Sequence, residues 1–252
     1  MAEMLTIDVG GDGVAVLTLD RAPVNALNAA FLDEIAAAAR ELADDAGVRA
    51  VVVTSAFKTL SAGMDLKEAV RFSVAEQTAM VDGFNETFAV LYGFPKPLVT
   101  AAVGDAIAGG LFFVLTADYV VARDGATFGL AEVRVGANFP FGALEIARDA
   151  LNPAAIRRLM LGGRIFDAAE ALRHGFVDAV VPADQVLELA LSVARDYAAS
   201  PPKTYADIKQ QIRGPVLDRI QRVIAERSDP VRGGWFTPET QAAMNAMLAK
   251  LR

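Results

Sequence analysis

The stretch Pro97-Leu-Val-Thr-Ala-Ala-Val-Gly-Asp-Ala-Ile-Ala-Gly-Gly-Leu-Phe-Phe113 carries the reading of the whole chain. Leu98 to Val103 is a continuous apolar run of strand length, as expected for a strand buried on both faces. Gly109 and Gly110 then open an apolar segment, expected to run as a helix to about Asp118. Glycines at the start of a helix admit two readings. They permit close packing of helix on strand, or they leave the backbone bare so that a ligand can approach it. The first N–H groups of a helix lack internal partners and sit at the positive end of its dipole, so Gly109 can donate to an oxygen that gains negative charge.

A second segment, Ser61-Ala-Gly-Met-Asp-Leu66, has the same form. Small residues lead from a strand and loop into a short helix, with Asp65 placed as an N-cap. The N–H of Met64 could face the same point as that of Gly109.

Around these two segments the chain alternates strands and helices. Leu5 to Val9 and Val14 to Leu19 form an opening hairpin across Gly10, Gly11, Asp12 and Gly13. A phosphate-binding loop would need a helix after those glycines, and a strand follows instead. Helical spacing starts at Asn28, a candidate N-cap. A buried strand covers Val48 to Thr54, a loop and short helix Ser61 to Val70, and a longer helix runs to Tyr92, stopped by Pro95 and Pro97. Tyr119 to Ala122 is a further strand, with helices beyond Phe141. The recurring strand-strand-helix order favours a stack of ββα turns over a flavodoxin-like sheet. From Ala183 onward only helices are expected, over Gln185 to Ser200, Tyr205 to Arg213 and Thr237 to Leu251. The chain thus divides into a core over 1–182 and a helical C-terminal segment over 183–252.

Composition narrows the chemistry. Cysteine is absent and His174 is the single histidine, so thiolate nucleophiles, disulfides and multi-histidine metal sites are excluded. No metal is expected. The net charge of −7 argues against a nucleic-acid partner. The longest apolar run, Ala106 to Ala117, falls short of the roughly 20 residues that span a bilayer. The N-terminus does not read as a signal peptide, so a cytoplasmic protein without a membrane partner is expected. Apolar residues make up 54% of the chain, enough to supply subunit contacts as well as a core.

Five ordered pieces together resemble the crotonase superfamily of enoyl-CoA hydratases and isomerases over nearly the whole chain. They are Pro23-Val-Asn-Ala-Leu-Asn28, Ser61-Ala-Gly-Met-Asp-Leu66, Gly104-Asp-Ala-Ile-Ala-Gly-Gly110 with Asp118 downstream, Phe128-Gly-Leu-Ala-Glu-Val-Arg-Val-Gly136, and His174-Gly-Phe-Val-Asp-Ala-Val-Val181. The resemblance implies an α/β fold, a ββα spiral with a helical C-terminal segment, assembled as a homotrimer or homohexamer. It implies an acyl-CoA thioester substrate, with coenzyme A as part of the substrate and no separate cofactor. The Met64 and Gly109 N–H groups would bind the thioester oxygen, where enolate charge develops.

Of the two glutamates that hold water in the family's hydratases, one falls on Glu132 and the other on Phe112. A phenyl ring can neither orient nor activate water. A single glutamate can instead shuttle a proton between carbons, so 3-enoyl-CoA to 2-enoyl-CoA isomerisation is favoured. Phe112 would exclude water and raise the pKa of Glu132. The alternative for Glu132 is a solvated carboxylate at a strand end. The alternatives for the protein are an enoyl-CoA hydratase, another crotonase-type reaction, or a non-catalytic acyl-CoA binder.

The resemblance also places coenzyme A along Arg21, Ala22 and Val24, and the substrate against Ala62, Asp65 and Leu66. Lys250 and Arg252 would meet its phosphates. Here the chain departs from many relatives in lacking a lysine beside Asn25. Trp235 and Phe236 serve either as packing anchors or as the lining of an acyl tunnel. His174 reads as structural, ahead of a Gly175 cap, and Glu145 as a candidate second acid.

Overall fold

The computed structural model describes residues 4–250, the side chain of Lys250 excepted. The expected hairpin forms from β1 (Leu5–Val9) and β2 (Val14–Leu19), paired antiparallel. Gly13 turns it at φ +79, a conformation open to glycine at little cost. Strands β3 (Ala50–Ser55), β5 (Leu98–Ala102), β7 (Tyr119–Arg123) and β10 (Ala179–Val181) add in parallel, giving the sheet order β1-β2-β3-β5-β7-β10.

After each of three central strands the chain steps into a second sheet. Its strands are β4 (Thr59–Ser61), β6 (Asp105–Ile107), β8 (Thr127–Gly129) and β9 (Ile165–Asp167), in the order β4-β6-β8-β9. Only the β8–β9 pair is antiparallel. The chain therefore winds as a ββα spiral. These short strands were not visible as periodic pattern, since three residues are too few to establish a period.

The central strands are buried on both faces because helices cover both. On one face, Val186, Ala190 and Ala194 of α8 (Val186–Ala198) pack on Val52, Val99 and Val121. On the other lies a larger core that includes α1 (Ala29–Asp44) and α3 (Val74–Tyr92). Asn28 caps α1, accepting from the Phe31 N–H at 3.0 Å. Ser73 and Glu76 close a capping box on α3. Asp65 caps the short α2 (Leu66–Ala69), as expected.

One expectation needs correction. The segment from Gly109 to Asp118 is not a single helix. After β6 the chain makes a 3₁₀ turn over Ala108–Leu111 and then the one-turn α4 (Phe112–Leu115). The turn is pressed against β4, where a Cβ on Gly110 would stand 2.3 Å from the Ser61 carbonyl oxygen. For Gly110, then, close packing is the reason for glycine.

The described residues from Ala183 onward form only helices and turns. The longest, α9 (Pro202–Glu226), is fastened to the spiral through Asp118. That carboxylate accepts from the Leu98 N–H at 2.8 Å, Tyr205 Oη at 2.9 Å and Lys209 Nζ at 2.6 Å. Arg213 adds bonds to the carbonyls of Tyr92, Thr116 and Ala117. The last helix is α10 (Pro238–Lys250). Among the described residues no helix is long and apolar enough to cross a membrane.

Candidate active site

Two turns meet at the mouth of the second sheet. In the first, Leu27 donates to the Gly63 carbonyl and accepts from the Asp65 N–H, both at 2.8 Å, so Met64 is bridged to Leu27 while its own N–H is left over. Asn25 holds this arrangement from below. Its side chain accepts from the Arg21 N–H and donates to Ser55 Oγ and the Leu60 carbonyl, and its carbonyl accepts from Ser61 Oγ. Ser61 Oγ in turn accepts from the Gly63 N–H.

The second turn carries Gly109. Ala108, just before it, is held at φ +52, a left-handed conformation that costs a non-glycine residue roughly 1–2 kcal/mol. Gly109 sits so early in its 3₁₀ turn that its N–H has no acceptor within the turn. Among the described residues, neither it nor the Met64 N–H has a hydrogen-bond acceptor. The two turns touch. A Cβ on Gly63, itself at φ +76, would lie 2.7 Å from the Ile107 carbonyl oxygen and 3.0 Å from the Gly109 nitrogen.

Met64 and Gly109 line one cavity of about 320 Å³, together with Ala62, Leu66, Phe112 and Glu132. Apart from Glu132 and Asn138, every side chain that lines it is apolar or that of Trp235. Glu132 begins a short 3₁₀ turn after Leu130 rather than ending a strand in solvent. Its Oε2 is buried with no partner among the described residues. Burial pushes the carboxyl from its ordinary 4.5 up to about 8. Phe112 is fully buried, with its ring edge-on to Phe84 at 5.2 Å and tilted to Phe88 at 5.6 Å. Phe84, Phe88 and Phe112 thus form an aromatic cluster, of which Phe84 and Phe112 line the cavity.

Other expected residues fall elsewhere. Arg21 does not line the cavity. Its guanidinium is taken up by Asp65 at 3.0 Å, Glu68 at 2.7 Å and the Ala26 carbonyl, so it braces the loop against α2. Asp65 is occupied by that pair and by capping. Ala22 is exposed, and Val24 meets the site only through its carbonyl, which accepts from the Ala62 N–H at 3.0 Å. Glu145, on α5 (Phe141–Ala150), is no second acid at this site. It is ion-paired with Arg148 at 3.0 Å and Arg219 at 2.6 Å, away from the cavity lining. Burial works to raise its carboxyl, but these two arginines hold it below the ordinary range. The side chain of Lys250, and all of Arg252, lie outside the described residues. His174 ends α7 (Ala168–His174) before Gly175 at φ +78 and stacks on Phe166, away from the cavity. Trp235 lines the cavity and Phe236 does not. The sequence had not pointed to Met80, Val81 or Phe84 of α3, which form one wall. Their spacing on one helix face was the available signal.

A sequence model of the enoyl-CoA hydratase/isomerase family matches residues 10–245. A Mycobacterium tuberculosis protein called "probable enoyl-CoA hydratase" is 36% identical over 182 residues, covering 72% of this chain and 70% of its own. Human mitochondrial enoyl-CoA delta isomerase 1 is 33% identical over 213 residues, covering 83% and 70%. The crystal structure of human mitochondrial delta3-delta2-enoyl-CoA isomerase superposes with a TM-score of 0.87 at 30% identity, over 99% of this chain and 98% of that one. With both the spiral and the sequence in agreement, the chain belongs to the enoyl-CoA hydratase/isomerase family, of crotonase fold.

Proposed function

We propose that this protein isomerises 3-enoyl-CoA to 2-enoyl-CoA thioesters. The observation that carries the reading is a cavity lined by one carboxyl, Glu132, whose Oε2 is buried with no partner among the described residues, and by the Phe112 ring. The Glu132 carboxylate removes a proton from C2, and the electron pair moves through the carbonyl carbon onto the thioester oxygen. The Met64 and Gly109 N–H groups donate to that oxygen, each such preorganised donor being worth about 3 kcal/mol. Collapse of the dienolate returns the proton from Glu132 to C4, leaving the double bond between C2 and C3. No water is consumed, and no group beyond the coenzyme A thioester is required.

The raised pKa of Glu132 suits this role, because a base whose conjugate acid titrates near working pH can both take and return a proton. The apolar wall keeps water from capturing the intermediate. Hydration would call for a second polar group to hold water where Phe112 stands. The reading includes assembly as a trimer or a pair of trimers, which light scattering of the purified protein would check.

The experiment compares the protein with a Glu132→Gln variant on 3-enoyl-CoA and 2-enoyl-CoA, following double-bond migration and hydration separately. Migration that depends on Glu132, with little hydration, is expected. Rapid hydration would overturn the assignment, and binding without turnover by either protein would leave only an acyl-CoA carrier.

A further inference from the structure

Three residues of α3, Met80, Val81 and Phe84, line one wall of the cavity, and Trp235 lines it as well. Phe84, Met80, Val81 and Gln77 follow one another on the same face of α3. Phe84 marks the reactive end, since its ring stands 3.0 Å from the position a Cβ on Gly109 would take. Met80 and Val81, about one turn before Phe84, also line the cavity. Gln77, two turns before Phe84, is 3% exposed and faces the chain that crosses over from the C-terminal segment. Its Oε1 accepts from the Trp235 N–H at 2.9 Å and the Phe236 N–H at 3.2 Å, while its Nε2 donates to the Phe72 carbonyl at 3.2 Å.

Trp235, held in this way, lines the same cavity. The strap is braced on its other side as well. Thr240 Oγ1 donates to the Gly136 carbonyl at 2.9 Å, within the loop that begins at Glu132. Gly136, at φ +68, lets that loop approach, since a Cβ there would lie 3.1 Å from the Thr240 Cα. The backbone that carries the indole is thus held between α3 and the Glu132 loop.

We infer that Trp235, positioned by Gln77, is the end-stop of the acyl chamber and restricts the protein to acyl groups of medium length. Seven residues of α3 separate Phe84 from Gln77, a rise of about 10 Å. An extended chain gains roughly 1.2 Å per bond, so about eight bonds fit between the thioester and the indole. Apart from Glu132, Asn138 and the Trp235 indole, whose Nε1 is buried without a partner among the described residues, the lining is apolar, so the fitting group is a hydrocarbon chain. The inference rests on the cavity being the acyl site proposed above.

Two measurements separate the failure of this inference from the failure of that reading. The first is calorimetric binding of saturated acyl-CoAs of increasing length, which needs no turnover. The second is kcat/KM for 3-enoyl-CoAs over the same lengths. The native protein is expected to improve up to roughly eight to ten carbons. Beyond the stop it should lose about tenfold for each methylene that overruns the chamber. Trp235→Ala should move the cut-off to longer chains in both measurements, and Trp235→Phe should move it less. Gln77→Leu, which removes the acceptor for both strap amides, should blur the cut-off through KM while kcat on the preferred substrate falls less. A merely structural role for either residue would lower all lengths alike, and that result, or a native protein indifferent to length, overturns the end-stop. Failure of every acyl-CoA to bind would sink the acyl-site reading with it. Binding and turnover that respond to Glu132→Gln but show no length shift in Trp235→Ala would sink the end-stop alone.

Discussion

Gly63 and Gly109 lie in contact across the two turns, so closely that a Cβ on Gly63 would stand 3.0 Å from the Gly109 nitrogen. The contact locks the leftover N–H groups of Met64 and Gly109 to one another without any side chain. Gly63→Ala is expected to abolish the proposed isomerisation and to cost about 2 kcal/mol, because a side chain at φ +76 is strained and would strike the Ile107 carbonyl. Urea unfolding alongside the turnover assay checks both effects, and native-like turnover would show that the turns need not touch.

Glu132 makes the site pH-dependent in two ways. As the base of the proposed isomerisation it must be ionised, so kcat/KM should rise with pH through about 8. Glu132→Gln should remove that rise and lower turnover roughly a hundredfold or more.

The same shift bears on stability with the opposite sign. A carboxyl raised from 4.5 to about 8 contributes stability that is fully present below 4.5 and is lost as pH rises through 8. Relative to Glu132→Gln, the native protein should therefore weaken across this window. Paired unfolding curves at several pH values measure the difference, and parallel curves would mean that the carboxyl is solvated.

Phe112 lines the same cavity as Glu132, and in the proposed function it helps to keep the carboxyl dry. Phe112→Ala should destabilise the fold by about 3–5 kcal/mol, as expected for an aromatic ring lost from a core. Water admitted beside Glu132 should lower its pKa and move the midpoint of the pH-rate profile below 8. An unmoved midpoint would place the source of the shift elsewhere.

Lys209 and Asp118 fasten α9 to the spiral. Burial lowers the Lys209 ammonium to about 8 even with Asp118 beside it. Lys209→Met should cost about 3 kcal/mol by leaving part of the Asp118 charge uncompensated, although Arg213 remains 3.1 Å away. Hydrogen exchange should quicken along α9 first, and uniform protection would argue against the fastening.

Much of this site was legible before folding, for local reasons. Asn28 and Asp65 cap the helices they precede, because a cap depends on residues within one turn of it. The hairpin and the buried strands β3, β5 and β7 lie close to where apolar runs placed them. That Phe112 lines the cavity with Glu132 agrees with the expectation, drawn from the family resemblance, that both stand at the site. The three-residue strands of the second sheet stayed hidden, since pairing across the fold defines them rather than periodicity.

Arg21 and Glu145 illustrate where local reading ends. Each is a charged residue near a motif, and each is consumed by partners distant in sequence: Arg21 by Asp65 and Glu68, Glu145 in part by Arg219. The lateral wall of Met80, Val81 and Phe84, and its meeting with Trp235, likewise join segments some 150 residues apart, as the Gln77 bond to Trp235 does. Caps and the longer apolar strands are written in neighbouring residues, so the chain alone specified them. The burial that raises Glu132 and the backbone contact of Gly63 with Gly109 depend on which surfaces pack together, and only the folded chain brings those surfaces into contact.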